Sequence, residues 1–247
     1  MSTTKYYYLK WTAVILMFAD HTAYFLKGSV DDSTYLALRI IGRLSFPLFA
    51  FLLVESFHFT KNKLKHLIKI AALASVSEIP YNLFITGKLN DFRYQNVCFT
   101  LALGFLMMCI NNSDTDRFLK KHIKSMKFRK FITACVRTDI TALFCLAAYL
   151  LRTDYSAEGI LLIALFDTAK RSGHKKLWQS AAILIFICLQ DNIIYLICLA
   201  DLVLIFNIYS KSETALPFSR FITGKVSKTI CAVFYPAHLA LFALLMI

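Results

Sequence analysis

The sequence is poor in charge, and it lacks every compact signature by which a soluble enzyme announces its chemistry. Charged residues make up only 17% of 247 residues, against roughly 25% in ordinary soluble domains. There is no GxSxG, so a serine nucleophile has no elbow to sit on. HExxH is absent, and no His, Cys, Asp or Glu set has metal-ligand spacing, so no metal site is expected. No glycine-rich loop offers a cradle for nucleotide phosphates. The seven cysteines form no CxxC and fall mostly in apolar runs, which excludes a disulfide framework and makes them buried thiols. The first apolar stretch lacks a small-residue cleavage site and carries charge where a leader is clean, so it is expected to be a retained helix. No internal repeat and no dividing linker are visible, and residues 1–247 read as a single domain.

What is present is apolar. Hydrophobic residues reach 58%, with 22 phenylalanines, and the mean hydropathy is +0.58. A soluble core of this length has too little interior to hide that much apolar surface. A crossing helix needs about 20 mostly apolar residues. Nine segments qualify, at 8–27, 34–57, 66–86, 93–110, 131–152, 155–169, 177–190, 192–209 and 228–246. The expected fold is an all-α polytopic membrane helix bundle of about nine transmembrane helices.

The net charge of +13 would suggest nucleic acid in a soluble protein. Here the basic residues sit in clusters between apolar segments, and no nucleic-acid partner is expected. With the N-terminus cytoplasmic, 21 of the 28 Lys and Arg residues fall in inner regions, only Lys27, Lys88, Arg93 and Arg152 fall outside, and Arg39, Arg43 and Arg137 lie within segments. That asymmetry predicts an odd number of crossings, a cytoplasmic N-terminus and an external C-terminus.

The informative residues are the polar ones at membrane depth. At a rise of about 1.5 Å per residue, Asp20 and His21 lie roughly 10 Å below the outer end of segment one, Arg43 roughly 13 Å and Glu78 roughly 12 Å. Such groups face a bundle interior or a wet cavity and pair there. Arg43 is expected to meet Asp20, Glu78 or both, and Gly42 beside it permits close helix approach. Pro47 is expected to kink segment two a turn further in, and Pro80 to kink segment three just after Glu78. Gln95 and Asn96 can reach the same layer. Arg39 reads as an interfacial snorkelling residue. Arg137 and Asp139, two apart, point to different faces. Asp154 and Asp191 read as helix N-caps. Asp201 and His238 sit mid-segment, and for each a structural role weighs about as much as a functional one.

These residues suit acid–base chemistry: a histidine acts as a base near neutral pH, and a neighbouring carboxylate can fix its tautomer. The same charges also suit a transporter or flippase path for a polar or lipid-linked solute, or a non-enzymatic assembly partner. Asp20 remains open between orienting His21 and pairing with Arg43.

The stretches "LKWTAVILMFADH" (9–21), "LRIIGRLSFPLFAFLLVESFHFTKN" (38–62), "SEIPYNLF" (77–84), "QNVCFTLALGF" (95–105), "DYSAEGILLI" (154–163) and "FYPAHLALF" (234–242) resemble, in order along the chain, the TraX family of conjugation-associated membrane proteins. That resemblance implies acetylation chemistry, the family being linked to N-terminal acetylation of the pilin of conjugative plasmids. Lys10 and His21, with ten residues between them, also resemble a basic-residue-to-histidine pattern of acyltransferase-3 membrane enzymes, where arginine is the commoner basic residue. The likeness implies acetyl-CoA as cosubstrate, a peptide, lipid or glycan acceptor, and His21 as the acid–base residue or acyl relay. Asp20, Arg43 and Glu78 are then expected around His21, and Lys10, Arg137, Asp139, Asp201 and His238 in binding roles. The implied location is the bacterial cytoplasmic membrane, in contact with its lipids.

Overall fold

A computed structural model describes residues 3–91, 93–113, 123–208 and 225–246. Much of the inner basic regions expected at 111–130 and 210–228 lies outside these residues. All the regular elements described are helices. In chain order they are α1 (Thr3–Phe25), α2 (Asp32–Gly42), α3 (Ser45–Phe59), α4 (Lys63–Thr86), α5 (Val97–Asn111), α6 (Met126–Leu150), α7 (Ser156–Arg171), α8 (Lys175–Leu189), a 3₁₀ helix (Ile193–Cys198) running into α9 (Leu199–Ile208), and α10 (Lys225–Met246). Four spans are long and apolar enough to cross a membrane: α2 with α3, α4, α6 and the Thr229–Met246 part of α10. The α5 and Ile193–Asn207 helices are apolar but shorter.

Each expected segment is helical, and two are broken. Segment two breaks at Arg43–Leu44, one turn before Pro47, where the kink was expected beyond Arg43. The cause is steric and electronic: Pro47 has no N–H to give the Arg43 carbonyl, and its ring crowds that same carbonyl four residues back. Proline therefore sits in the first turn of α3, where a missing donor is tolerated. The freed Arg43 carbonyl accepts from the Cys198 thiol at 3.5 Å. By contrast α4 remains helical through Pro80. Segment eight is the 3₁₀–α9 unit, capped by Asn192, whose side chain accepts from the Ile194 N–H; the expected cap, Asp191, precedes it.

Contacts at the two ends of the bundle give the helix directions. The Asp20 and Arg43 side chains meet near the end of α1 and the α2–α3 break, while Tyr6 hydrogen-bonds Ser56, so α3 runs antiparallel to α1. The Tyr24 hydroxyl donates to the Ile85 carbonyl at 3.1 Å, which sets α4 parallel to α1. Asn111 ends α5 beside Arg137 of α6, and Thr100 at its start donates to the Asp154 carbonyl ahead of α7. Trp11 donates to Ser227 at 2.9 Å and His21 meets His238, so α10 lies parallel to α1. Among the described residues, direction thus alternates through nine helical passes along the bundle, with α2–α3 and the 3₁₀–α9 unit each counting as one.

Two apolar cores hold this together. The larger one joins α1, α3, α5, α7, α8 and α9 around Phe46, Phe51, Phe105, Phe166 and Phe186. A second joins α1, α4 and α10 around Val14, Phe84, Tyr235 and Phe242. At the loop before α2, Asp31 caps the helix, accepting from Thr34 N at 2.8 Å and Thr34 Oγ1 at 2.7 Å and from the Ser33 hydroxyl. Those donors hold its carboxyl well below the usual carboxylate range.

Candidate functional site

The site lies at the end of the bundle where α1 finishes. Its first half is an ion cluster. Asp20 receives Arg43 Nη2 on both carboxylate oxygens at 2.5 Å and Arg39 Nη1 at 2.8 Å. Arg39 is therefore a member of the pair and not an interfacial snorkel. The arrangement is sterically conditional: a Cβ on Gly42 would sit 2.4 Å from the Asp20 Cβ and 2.8 Å from its Cα. Only glycine lets α2 approach α1 closely enough for the arginines to reach the carboxylate.

Arg43 spends its other terminal nitrogen on two hydroxyls, Tyr195 at 3.1 Å and Tyr155 at 3.5 Å. Its guanidinium also lies 5.6 Å from the Tyr195 ring centroid. Its Nε is buried without a hydrogen-bond partner. Tyr155 is held by unusual backbone: Arg152, Tyr155 and Ser156 all have positive φ, which nonglycine residues adopt only when their surroundings enforce it. Here the enforcement is the Tyr155 ring, stacked on Phe46 with centroids 3.9 Å apart. Tyr155, not the expected Asp154, occupies the cap position of α7.

The second half is a histidine pair. His21 Nδ1 lies 2.6 Å from His238 Nε2, and His238 Nδ1 lies 2.6 Å from the Phe234 carbonyl oxygen. A carbonyl only accepts, so His238 carries its proton on Nδ1 and presents a lone pair at Nε2. His21 must then donate from Nδ1, which leaves the lone pair of neutral His21 on Nε2. The two rings are nearly parallel, with centroids 4.9 Å apart. Neither Asp20 nor Glu78 hydrogen-bonds His21; the orienting group comes from α10, 217 positions away in sequence. Arg39 and Arg43 remain within electrostatic reach of His21.

Glu78 serves another junction. Its Oε2 accepts from the Asn96 amide nitrogens, side chain at 2.5 Å and backbone at 3.2 Å, while Asn96 also donates to the Ala74 carbonyl and caps α5 through Cys98 N. Glu78 Oε1 is buried without a partner.

The remaining expected site residues are dispersed. Lys10 lies eleven residues before His21 on α1, roughly 16 Å along the axis, near His66 and Cys231. Arg137 donates from Nε to the Asn111 carbonyl at 3.1 Å, tying the end of α5. Asp139 is exposed on α6, so the two do point to different faces. Asp201 is fully buried, and neither of its carboxylate oxygens has a hydrogen-bond partner. Among the described residues no group of three His, Cys, Asp or Glu side chains converges as a metal site.

A second polar cluster, at the opposite end, was missed in the sequence. Glu55, only 1% exposed, accepts both contacts of Lys170 Nζ at 2.7 and 2.8 Å. Asp167 accepts from His58 Nε2 at 3.0 Å, Arg171 Nη1 at 2.7 Å and Asn112 Nδ2 at 3.3 Å. These contacts tie the ends of α3, α5 and α7. The usable signal was the same as for Asp20: carboxylates inside apolar runs, "LLVESF" and "ALFDTA".

No solved structure matches the chain. A probable fimbrial assembly protein FimC, serogroup H1, of Dichelobacter nodosus is 32% identical over 144 residues. That alignment covers 56% of this chain and 54% of the relative, so the chain spans about half the length of the curated relative it matches. The TraX protein family model matches residues 6–246, which takes in every element of both polar clusters. A helical bundle with four membrane-length spans and a family match over almost its whole length establish this chain as a membrane protein that belongs to the TraX family.

Proposed function

We propose that the protein is an integral membrane acyltransferase that moves an acetyl group from acetyl-CoA to an amine or hydroxyl, with His21 as general base. In this reading the nine passes all cross the membrane, with the N-terminus cytoplasmic, the C-terminus outside, and the protein in the bacterial cytoplasmic membrane. The reading rests on one observation above the others: the chain His21–His238–Phe234 carbonyl fixes the tautomer that leaves His21 Nε2 as a base.

The acceptor would give its proton to His21 Nε2 as its nitrogen or oxygen attacks the thioester carbonyl. The imidazolium so formed is supported by the lone pair of His238, to which His21 Nδ1–H donates. The buried, unpartnered Nε–H of Arg43 would donate to the oxyanion of the tetrahedral intermediate once substrate opens a path to it. Collapse expels the CoA thiolate, which takes the proton back from His21. Asp20 holds Arg43 in place and does not orient the base. The acyl donor would enter from the side of the basic inner loops, whose charge attracts its phosphates. The acceptor is a peptide, lipid or glycan, and the relative's description as a fimbrial assembly protein favours a pilus-associated polypeptide.

The test is acetyl transfer by the purified protein from labelled acetyl-CoA, with release of free CoA thiol measured in parallel. His21→Ala should abolish both while the protein elutes as a folded species. Full activity in that variant overturns the assignment, and absence of CoA release by the wild type overturns the enzyme reading. The same relative's printed role in assembly supports a second reading, a non-catalytic assembly partner, in which variants of the cluster lose partner binding and turnover is never seen.

A further inference from the structure

Among the described residues, helix α6 touches the bundle along one face and leaves the other exposed. It buries Thr133, Phe144 and Ala148, while Phe131, Leu143, Leu146 and Tyr149 are all more than half exposed. A lipid-facing helix accounts for those residues. It does not account for Asp139, which is exposed on the same helix. Asp139 is roughly 16–20 Å from either end of α6, which places its carboxylate near the middle of a membrane-length span. Among the described residues its carboxylate makes no hydrogen bond or ion pair. Arg137, two positions earlier, is turned the other way and donates to Asn111. The neighbours one turn away on the Asp139 face, Cys135, Ala142 and Leu143, offer no cation.

A carboxylate at that depth is ordinarily turned inward or paired. We propose that the exposed face of α6 docks a transmembrane helix of another protein that carries a lysine or arginine near mid-span, with Asp139 as its counter-charge. The surface beside Asp139 is shaped for a close neighbour: Ala134, Thr138 and Ala142 recur every four residues, all exposed, and small residues at that spacing let helix backbones approach. A second copy of this chain is the wrong occupant, because a two-fold axis through this face sets Asp139 against Asp139, and like charges in a low dielectric repel.

The probe is a synthetic transmembrane helix of about 20 leucine and alanine residues with one central lysine, and a control with leucine there. Binding to the full chain in lipid vesicles is read by energy transfer between fluorophores. The wild type should bind the lysine peptide at least tenfold more tightly than the control. Asp139→Asn should erase the preference, and Asp139→Lys should transfer it to a peptide with a central aspartate. Asp139→Asn alone decides the matter if the lysine variant does not insert. Equal binding of both peptides by the wild type, an undiminished preference in Asp139→Asn, or a chain that is a dimer until Asp139 is replaced each overturns the proposal.

Discussion

Replacing Asp20 by asparagine separates the structural part of the site from its chemistry. The substitution keeps the volume beside Gly42 and removes only the charge. Arg43 then keeps its two tyrosine hydroxyls but loses both of its 2.5 Å contacts to an anion. Its side chain is 10% exposed and that of Asp20 14%, so water does little to replace the lost partner. Breaking a buried pair by removing one member costs about 3–5 kcal/mol, because the remaining charge is uncompensated. Arg39, with 26% of its side chain exposed, adds little, about 0–1 kcal/mol. Arg43→Met should cost less, since Asp20 still has Arg39. In the double variant Asp20→Asn with Arg43→Met the orphaned cation is gone, so the loss should fall below the sum of the singles by about 2 kcal/mol. Reversible unfolding in mixed detergent–SDS micelles, followed by circular dichroism, measures all three. A loss under about 1 kcal/mol for Asp20→Asn, the size of a solvated surface pair, or strict additivity, refutes the reasoning. The same variant should retain the His21–His238 contact, so acetyl transfer per folded molecule should change far less than in His21→Ala.

Gly42→Ala should destabilise by about 1–3 kcal/mol through overpacking, since its Cβ meets the Asp20 backbone and side chain inside 3 Å; the same micelle titration reads it. An unchanged midpoint would show that α1 and α2 are not held as close as described. Asn96→Ala removes the α5 cap and the donors to Glu78 and the Ala74 carbonyl together, for a loss of about 2–3 kcal/mol. Adding Glu78→Gln to that variant should recover part of it, because a neutral amide held only by the residue 96 backbone N–H is less costly than a carboxylate held so.

Much of the site could be read in the linear chain, and the reason is solvent. In a membrane every ionisable residue is conspicuous against apolar neighbours, so Asp20, His21, Arg43 and Glu78 stood out, and simple counting of helical rise put them in one layer. Gly42 also showed its purpose, because a residue without Cβ beside a buried arginine has few other uses. Glu55 and Asp167 carried the same signal but lay among basic residues at segment ends, where topology already explained the charge. The break in segment two was misplaced by a turn, since proline disturbs the carbonyl four residues before it and not its own position.

The sequence by itself determined the class of the molecule, the helical segments and the positions of the polar residues along them, because hydropathy and rise per residue are local properties. Partners were a tertiary matter. Whether Asp20 served His21 or Arg43 depended on how closely two helices approach, and Gly42 decided it for the arginines. That His21 is oriented by His238 required α1 and α10 to lie side by side and parallel, across 217 positions of chain. A hydrogen bond needs its atoms about 3 Å apart, and no pattern of residue types along a single helix specifies which distant helix will supply them.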